Sequence, residues 1–235
     1  MKNFRVLAGI LIVSFLILSS DAHTTGEIKC IVTLKGHTKQ VYPVRFLERG
    51  KKLVSGSYDT TVRLWNITTG ECIKVLRGHT DQVWSLAVSP YDTMIASGSK
   101  DKTIRLWDAA TGNLIRVLRG HTAGVTSLAF SNDGKFLFSG SFDGTVRMWN
   151  VDTGDILKTF NAHSEGVKAI GLSPDNKLLL SGGGKEIKMW DPTTGKCIKT
   201  LIEHKDTVSS FSFSPDGKIF ASGIGKAHFD RENHL

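Results

Sequence analysis

Short runs of alternating apolar and polar residues fill most of the chain, and clusters of Asn, Asp, Gly, Pro and Ser separate them. One such unit reads Val125 to Phe130, the turn Ser131-Asn132-Asp133-Gly134, Lys135 to Ser139, Asp143-Gly144, then Thr145 to Trp149. β-Branched and aromatic runs punctuated in this way read as strands joined into hairpins. Equivalent turns stand at Ser89-Pro90-Tyr91-Asp92, Ser173-Pro174-Asp175-Asn176 and Ser214-Pro215-Asp216-Gly217. A second turn ends in Thr-Gly at Gly70, Gly112, Gly154 and Gly195, and an alternating strand such as Cys72-Ile73-Lys74-Val75-Leu76 follows it. No stretch here sustains a 3.6-residue period, so the pattern predicts an all-β fold.

The units repeat at a fixed step. Gly-His pairs stand at Gly36-His37, Gly78-His79 and Gly120-His121, with weaker copies at Ala162-His163 and Glu203-His204, so the step is 42, 42, 42 and 41 residues. Trp65-Asn66, Trp107-Asp108 and Trp149-Asn150 each follow the marker His by 28 positions, and Trp190-Asp191 follows by 27. That period, with Gly-His at one end and Trp-Asp at the other, is the signature of a four-stranded propeller blade. Over about Glu27 to Gly223 the chain resembles the WD-repeat proteins. The resemblance implies an all-β propeller of four complete four-stranded blades plus an incomplete fifth, forming an open or partial ring.

It also implies a hydrogen-bonded chain from Trp through Ser and His to Asp in the first three units. The residues are His37, Ser55, Asp59 and Trp65; His79, Ser97, Asp101 and Trp107; and His121, Ser139, Asp143 and Trp149. Such a network satisfies buried donors and acceptors and locks hairpins together. Ser, His and Asp are also the ingredients of a hydrolase triad. A catalytic set is needed once, whereas this one appears three times, so the structural role is preferred and no catalytic residue is assigned. The fourth unit, Ser181-Gly182-Gly183-Gly184-Lys185, is one residue short and has no Asp at the expected place, so its network should be incomplete.

The two ends differ from the repeats. Lys2 and Arg5 precede the apolar run Val6 to Leu18, and small residues follow at Ser19, Ser20 and Ala22. That is the layout of a signal peptide over residues 1–22, cleaved after Ala22, with a short membrane anchor or a wrongly assigned start as alternatives. Thirteen residues fall short of the ~20 needed to span a bilayer. The reading places the protein outside the cytoplasm, secreted, periplasmic or membrane-associated; without a signal peptide it would be cytoplasmic. The propeller occupies 27–223 and a polar tail 224–235, where a third strand and its Trp should be. Ile28 to Leu34 looks like an outermost strand without its own blade, so the ends supply three strands of a shared fifth blade whose third strand is missing. Open strand edges make self-association an expectation.

Composition adds little and excludes several classes. The chain is 40% hydrophobic and 22% charged, as a globular domain with a core should be. Cys30, Cys72 and Cys197 occupy one repeat position, each seven residues before a marker His. Equivalent positions in different blades lie beyond the ~7 Å Cα limit for a bridge, so they read as core residues and not as a disulfide framework or a metal set. The net charge of +8 comes from positions that recur once per unit, such as Arg63, Arg105, Arg147 and Lys188. A repeated position is spread around a ring, whereas a nucleic-acid patch is clustered. No metal, cofactor or small-molecule substrate is expected.

A binding surface therefore becomes the default function, and the resemblance implies one at the face carrying the loop before each innermost strand. It points to the residues flanking the opening Val and to the residue before the blade Asp. The candidates are Tyr42, Trp84, Tyr58, Lys100, Phe142 and Lys168. Aromatic residues in a polar rim are usual recognition anchors; the competing reading is that these rings pack between blades. On the binding reading, Trp84→Ala should leave thermal stability nearly unchanged. The sequence thus predicts a non-catalytic scaffold for protein partners of unspecified identity. The alternative is a remnant or fragment of a larger WD-repeat enzyme or signalling protein.

Overall fold

A computed structural model describes residues 14–20 and 28–225, with side chains from residue 32 onward. The cleavage site after Ala22, most of the apolar run, the tail beyond residue 225 and the terminal His23, His228 and His234 lie outside the described residues.

Among the described residues, twenty strands form antiparallel sheets. β1 (Ser14–Ser20) pairs with β2 (Ile28–Lys35). The first blade is β3 (Val41–Leu47), β4 (Lys52–Ser57), β5 (Val62–Asn66) and β6 (Cys72–Leu76); the second is β7 (Val83–Val88), β8 (Met94–Ser99), β9 (Ile104–Asp108) and β10 (Leu114–Leu118). The third is β11 (Val125–Phe130), β12 (Phe136–Ser141), β13 (Thr145–Asn150) and β14 (Ile156–Asn161); the fourth is β15 (Ala169–Leu172), β16 (Leu179–Gly183), β17 (Glu186–Trp190) and β18 (Cys197–Leu201). β19 (Val208–Phe213) and β20 (Phe220–Ile224) form a further two-stranded sheet. The architecture is thus four complete blades and part of a fifth.

Local chemistry accounts for the hairpins. The turn joining first and second strands needs a left-handed residue, and Asp92, Gly134, Asn176 and Gly217 take φ between 55° and 71° there; such residues tolerate that region best. Ser131 N–H donates to Phe136 O at 2.9 Å, and Ser131 Oγ accepts Phe136 N–H at 3.0 Å, closing the hairpin from both sides. In the turn after each Trp, Asn66, Asp108, Asn150 and Asp191 accept two backbone N–H groups each through Oδ1.

The core lies between blades. Leu47, Val54, Val62, Leu64 and Leu76 of the first blade pack on Val83, Leu86, Ile95 and Trp107 of the second. Equivalent residues repeat this between the second and third blades and between the third and fourth. Each full interface buries eight to ten apolar side chains at roughly 25 cal/mol per Å² of apolar surface removed from water, and in such repeats neighbour contacts supply most of the stability.

Two expectations need correction. The ends do not form one shared blade: β2 takes Ser14–Ser20 as its partner, and β19–β20 stays a separate sheet. Of the cysteines whose side chains are described, Cys197 is exposed, and Cys72 is only half-buried at the margin of the Leu34, Leu53 and Trp65 cluster, so neither is a buried core residue. They lie on the fourth strands β6 and β18, whose outer edges no described strand covers.

Candidate functional site

The buried network forms as the repeat pattern implies. His37 Nδ1 donates to Asp59 Oδ2 at 2.8 Å, Ser55 Oγ donates to His37 Nε2 at 2.8 Å, and Trp65 Nε1 donates to Ser55 Oγ at 2.8 Å. A carboxylate can only accept, so Nδ1 carries the proton and Nε2 the lone pair. The second and third blades repeat the chain through His79, Asp101, Ser97 and Trp107, and through His121, Asp143, Ser139 and Trp149, at 2.7 to 2.8 Å. Each Asp also accepts from two backbone N–H groups and a Thr hydroxyl; for Asp101 these are Thr80, Thr103 and Thr103 Oγ1. Burial pushes the carboxyl of Asp101 up, but the bonds from His79, Thr103 and Thr80 outweigh it and hold the group well below the usual carboxylate range. Asp59 and Asp143 are held down in the same way.

The fourth blade keeps half of this arrangement. Trp190 Nε1 donates to Ser181 Oγ, and Ser181 bonds His163 Nε2, both at 2.9 Å. His163 Nδ1 is buried without a hydrogen bond, with Glu186 Oε2 3.6 Å away. Burial pushes the imidazole below its ordinary range. None of these sets offers an open nucleophile: Ser55, Ser97, Ser139 and Ser181 are fully buried and committed to a Trp and a His.

The first strands β3, β7, β11, β15 and β19 surround a cavity of about 490 Å³, the channel of the arc. Hydroxyls stitch these strands together: Ser85 Oγ donates to Val125 O at 3.3 Å, Thr126 Oγ1 to Val167 O at 2.7 Å, and Ser127 Oγ accepts Ile170 N–H at 3.2 Å. Of the sequence candidates, Tyr42, Trp84 and Lys168 line the cavity. Tyr42 is 48% exposed, whereas Trp84 is only 6% exposed. The Trp84 indole donates to Gln82 Oε1 at 2.9 Å and meets the Phe142 ring edge-on at 5.5 Å. A Cβ added at Gly124 would overlap Trp84 Cζ3, so the ring lies against that backbone. Lys168 Nζ sits 4.0 Å from the Phe142 ring centroid, within cation–π range.

The structure thus brings Trp84, Phe142 and Lys168 together, with Tyr42 across the channel mouth. Tyr58 and Lys100 stand on adjoining loops, where their backbone N–H groups bond Gln40 O and Gln82 O at 2.9 Å. Neither lines the cavity. Sequence reading missed Arg45, which does. The signal was present: Arg45 falls where the other blades carry Ala87, Ala129 and Gly171, so it breaks a repeated small-residue position.

These features define a repeat-built β-propeller arc with structural polar networks and a channel face of mixed aromatic and basic character. The chain belongs to the WD domain, G-beta repeat family, which matches at residues 28–66, 70–108, 112–150, 154–191 and 195–230. Among curated relatives it is 46% identical to Protein Mut11 of Chlamydomonas reinhardtii over 52 residues, 22% of this chain and 14% of that protein. It is 51% identical to the Notchless protein homolog of Arabidopsis thaliana over 41 residues, 17% of this chain and 9% of the relative. With Cell division control protein 4 of Saccharomyces cerevisiae it shares 36% over 42 residues, 18% of this chain and 5% of the other. The matched stretches therefore span a small part of each relative's length.

Proposed function

We propose that the protein is a non-catalytic interaction scaffold whose partner docks on the channel face at the ends of the first strands. The observation that carries this reading is the channel mouth. There the exposed Tyr42 stands with Arg45, Lys168, Trp84 and hydroxyl-bearing side chains around a cavity of about 490 Å³, and Phe142 backs Trp84 and Lys168 from outside the lining. An aromatic anchor inside a polar rim is a common form of recognition surface. Arg45 and Lys168 favour a protein segment bearing carboxylates, with Tyr42 supplying apolar contact. The Ser-His-Asp sets support the same reading, since their donors and acceptors are spent on holding blades together.

The test is affinity capture with cross-linking, comparing the full chain with Tyr42→Ala and with Arg45→Glu after matching their thermal midpoints. A protein held by the parent chain and lost from both variants supports the channel face. Equal capture by all three places the contact elsewhere.

A second interaction, between copies of this chain, is favoured by a separate observation. Among the described residues, β1–β2 and β19–β20 are two-stranded sheets while every other sheet has four strands.

A further inference from the structure

Among the described residues, the two two-stranded sheets carry complementary halves of the blade pattern. β19 and β20 pair as a first and second strand do: their register shifts between Val208 and Ser210, as it does between Val83 and Ser85 and between Val125 and Ser127. β1 and β2 carry the mark of a third and fourth strand. In complete blades that pairing shifts at Leu64/Trp65, Met148/Trp149 and Met189/Trp190, and β1–β2 shifts at Ile17/Leu18. Leu18 faces Cys30 in the register as Trp65 faces Cys72 and Trp190 faces Cys197. Residue 18 therefore occupies the backbone position of the blade Trp.

Each hairpin also covers the half of a blade face that the other leaves bare. On the first blade, Leu34 and Val32 of β2 pack on Leu53 and Trp65. Phe46 of the same face is 60% exposed, although its counterparts Val88, Phe130 and Leu172 pack into blade interfaces. On the fourth blade the bare part is the outer one. Leu201 is only half-buried and Ile202 is 67% exposed, whereas Leu76, Leu118 and Phe160 at the place of Leu201 are 2 to 3% exposed. First and second strands are what Phe46 lacks; third and fourth strands are what Leu201 lacks.

We propose that β1–β2 of one chain and β19–β20 of a second copy of this chain join into one composite blade, with β1 paired along the edge of β20 that no described strand covers. Second and third strands of complete blades pair Leu53 with Trp65, Leu179 with Trp190 and Leu180 with Met189. The same register sets Leu18 opposite Phe220 and Ile17 opposite Ala221. Within one chain both hairpins are formed and are separate sheets, and their matching registers point to a second copy as the partner. The new contact continues the interface that already repeats between complete blades. It is a heterologous contact, and reciprocal exchange between two chains leaves no half-blade unpaired. It also removes two strand edges that would otherwise invite uncontrolled pairing.

This rests on the reading that copies associate, and it is independent of the channel face. It gives Ser14–Ser20 a structural use, so the strand must be present in the working protein. The test starts with light scattering during size exclusion of the full chain over a range of concentrations, with intact mass measured on the same sample. The expected result is a two-chain mass with residues 1–22 retained, and about a twofold drop in mass for Ile17→Pro with unfolding of the complete blades preserved. In a background with the native cysteines replaced by Ser, Ala221→Cys chains and Ile17→Cys chains should form a disulfide-linked dimer only when mixed, since opposed strand positions bring Cβ atoms within reach. A one-chain mass at every concentration, a mature chain lacking its first 22 residues, or a disulfide inside a single chain of the double variant would each overturn the proposal. Capture of a partner at Tyr42 is unaffected by Ile17→Pro, so the two readings fail separately.

Discussion

Replacing Asp101 by Ala tests whether the repeated polar network stabilises the propeller. The carboxylate accepts four hydrogen bonds, from His79 Nδ1 at 2.7 Å, Thr80 N at 3.0 Å, Thr103 N at 2.9 Å and Thr103 Oγ1 at 2.6 Å. Water can replace the partner of the exposed Thr80 amide, but His79 and Thr103 are buried at 6% and 7% exposure. Each bond contributes about 1 kcal/mol net, more when an ionised group is involved, and a buried orphan costs about 1 to 3 kcal/mol. The three inner bonds thus give an expected loss of about 3 kcal/mol. For a domain of this size that is a fall in thermal midpoint of roughly 6 to 12 °C.

The comparison that isolates the network is Glu186→Ala in the fourth blade. Glu186 is 40% exposed and stands 3.6 Å from His163 without bonding it, so its removal should cost no more than about 0.5 kcal/mol, as for an exposed ion pair. Urea denaturation followed by Trp fluorescence measures both changes, because Trp107 and Trp190 end the two chains of bonds. Equal small losses from Asp101→Ala and Glu186→Ala would refute the reasoning, since the fully bonded carboxylate would then be worth no more than the unbonded one.

The remaining predictions concern pH and packing. Because Asp59, Asp101 and Asp143 are held well below their ordinary range in the fold, their contribution is complete above the unfolded value of about 3.9. It is lost as pH falls toward the folded one, so acid titration of the midpoint should steepen below about pH 4 and steepen less in Asp101→Asn. His163 is likewise lowered; the unfolded chain takes up that proton first, so stability should fall on acidification through about pH 6.5, and the fall should shrink in His163→Gln. Gly124→Ala must displace the buried Trp84 ring and should cost about 1 to 3 kcal/mol in denaturant melts; an unchanged midpoint would mean the ring moves freely. Trp84→Ala should cost about 3 to 5 kcal/mol as a large buried ring is deleted, and a stability unchanged from the parent would return Trp84 to the role of an exposed anchor.

The blades were legible because their determinants are local and recur: turn residues at fixed offsets, alternating strands and a Trp that closes each third strand. Asn66 and Asp108 show how local these determinants are, since each caps the turn after its Trp with the same two backbone bonds. What depends on a neighbouring blade was not legible. Whether Trp84 faces solvent is decided by Gly124, forty residues on, whose missing side chain lets the ring settle against the backbone. Whether Phe46 is core is decided by strands that the first blade does not itself contain. Ser14–Ser20 shows the limit most plainly, because an apolar run without a period fits an export signal, an anchor or a strand equally well. Only its register against β2, with the shift at Ile17/Leu18, aligns it with the third strands of the other blades. A repeat therefore announces its interior through its own residues, while its ends take their meaning from whatever chain completes them.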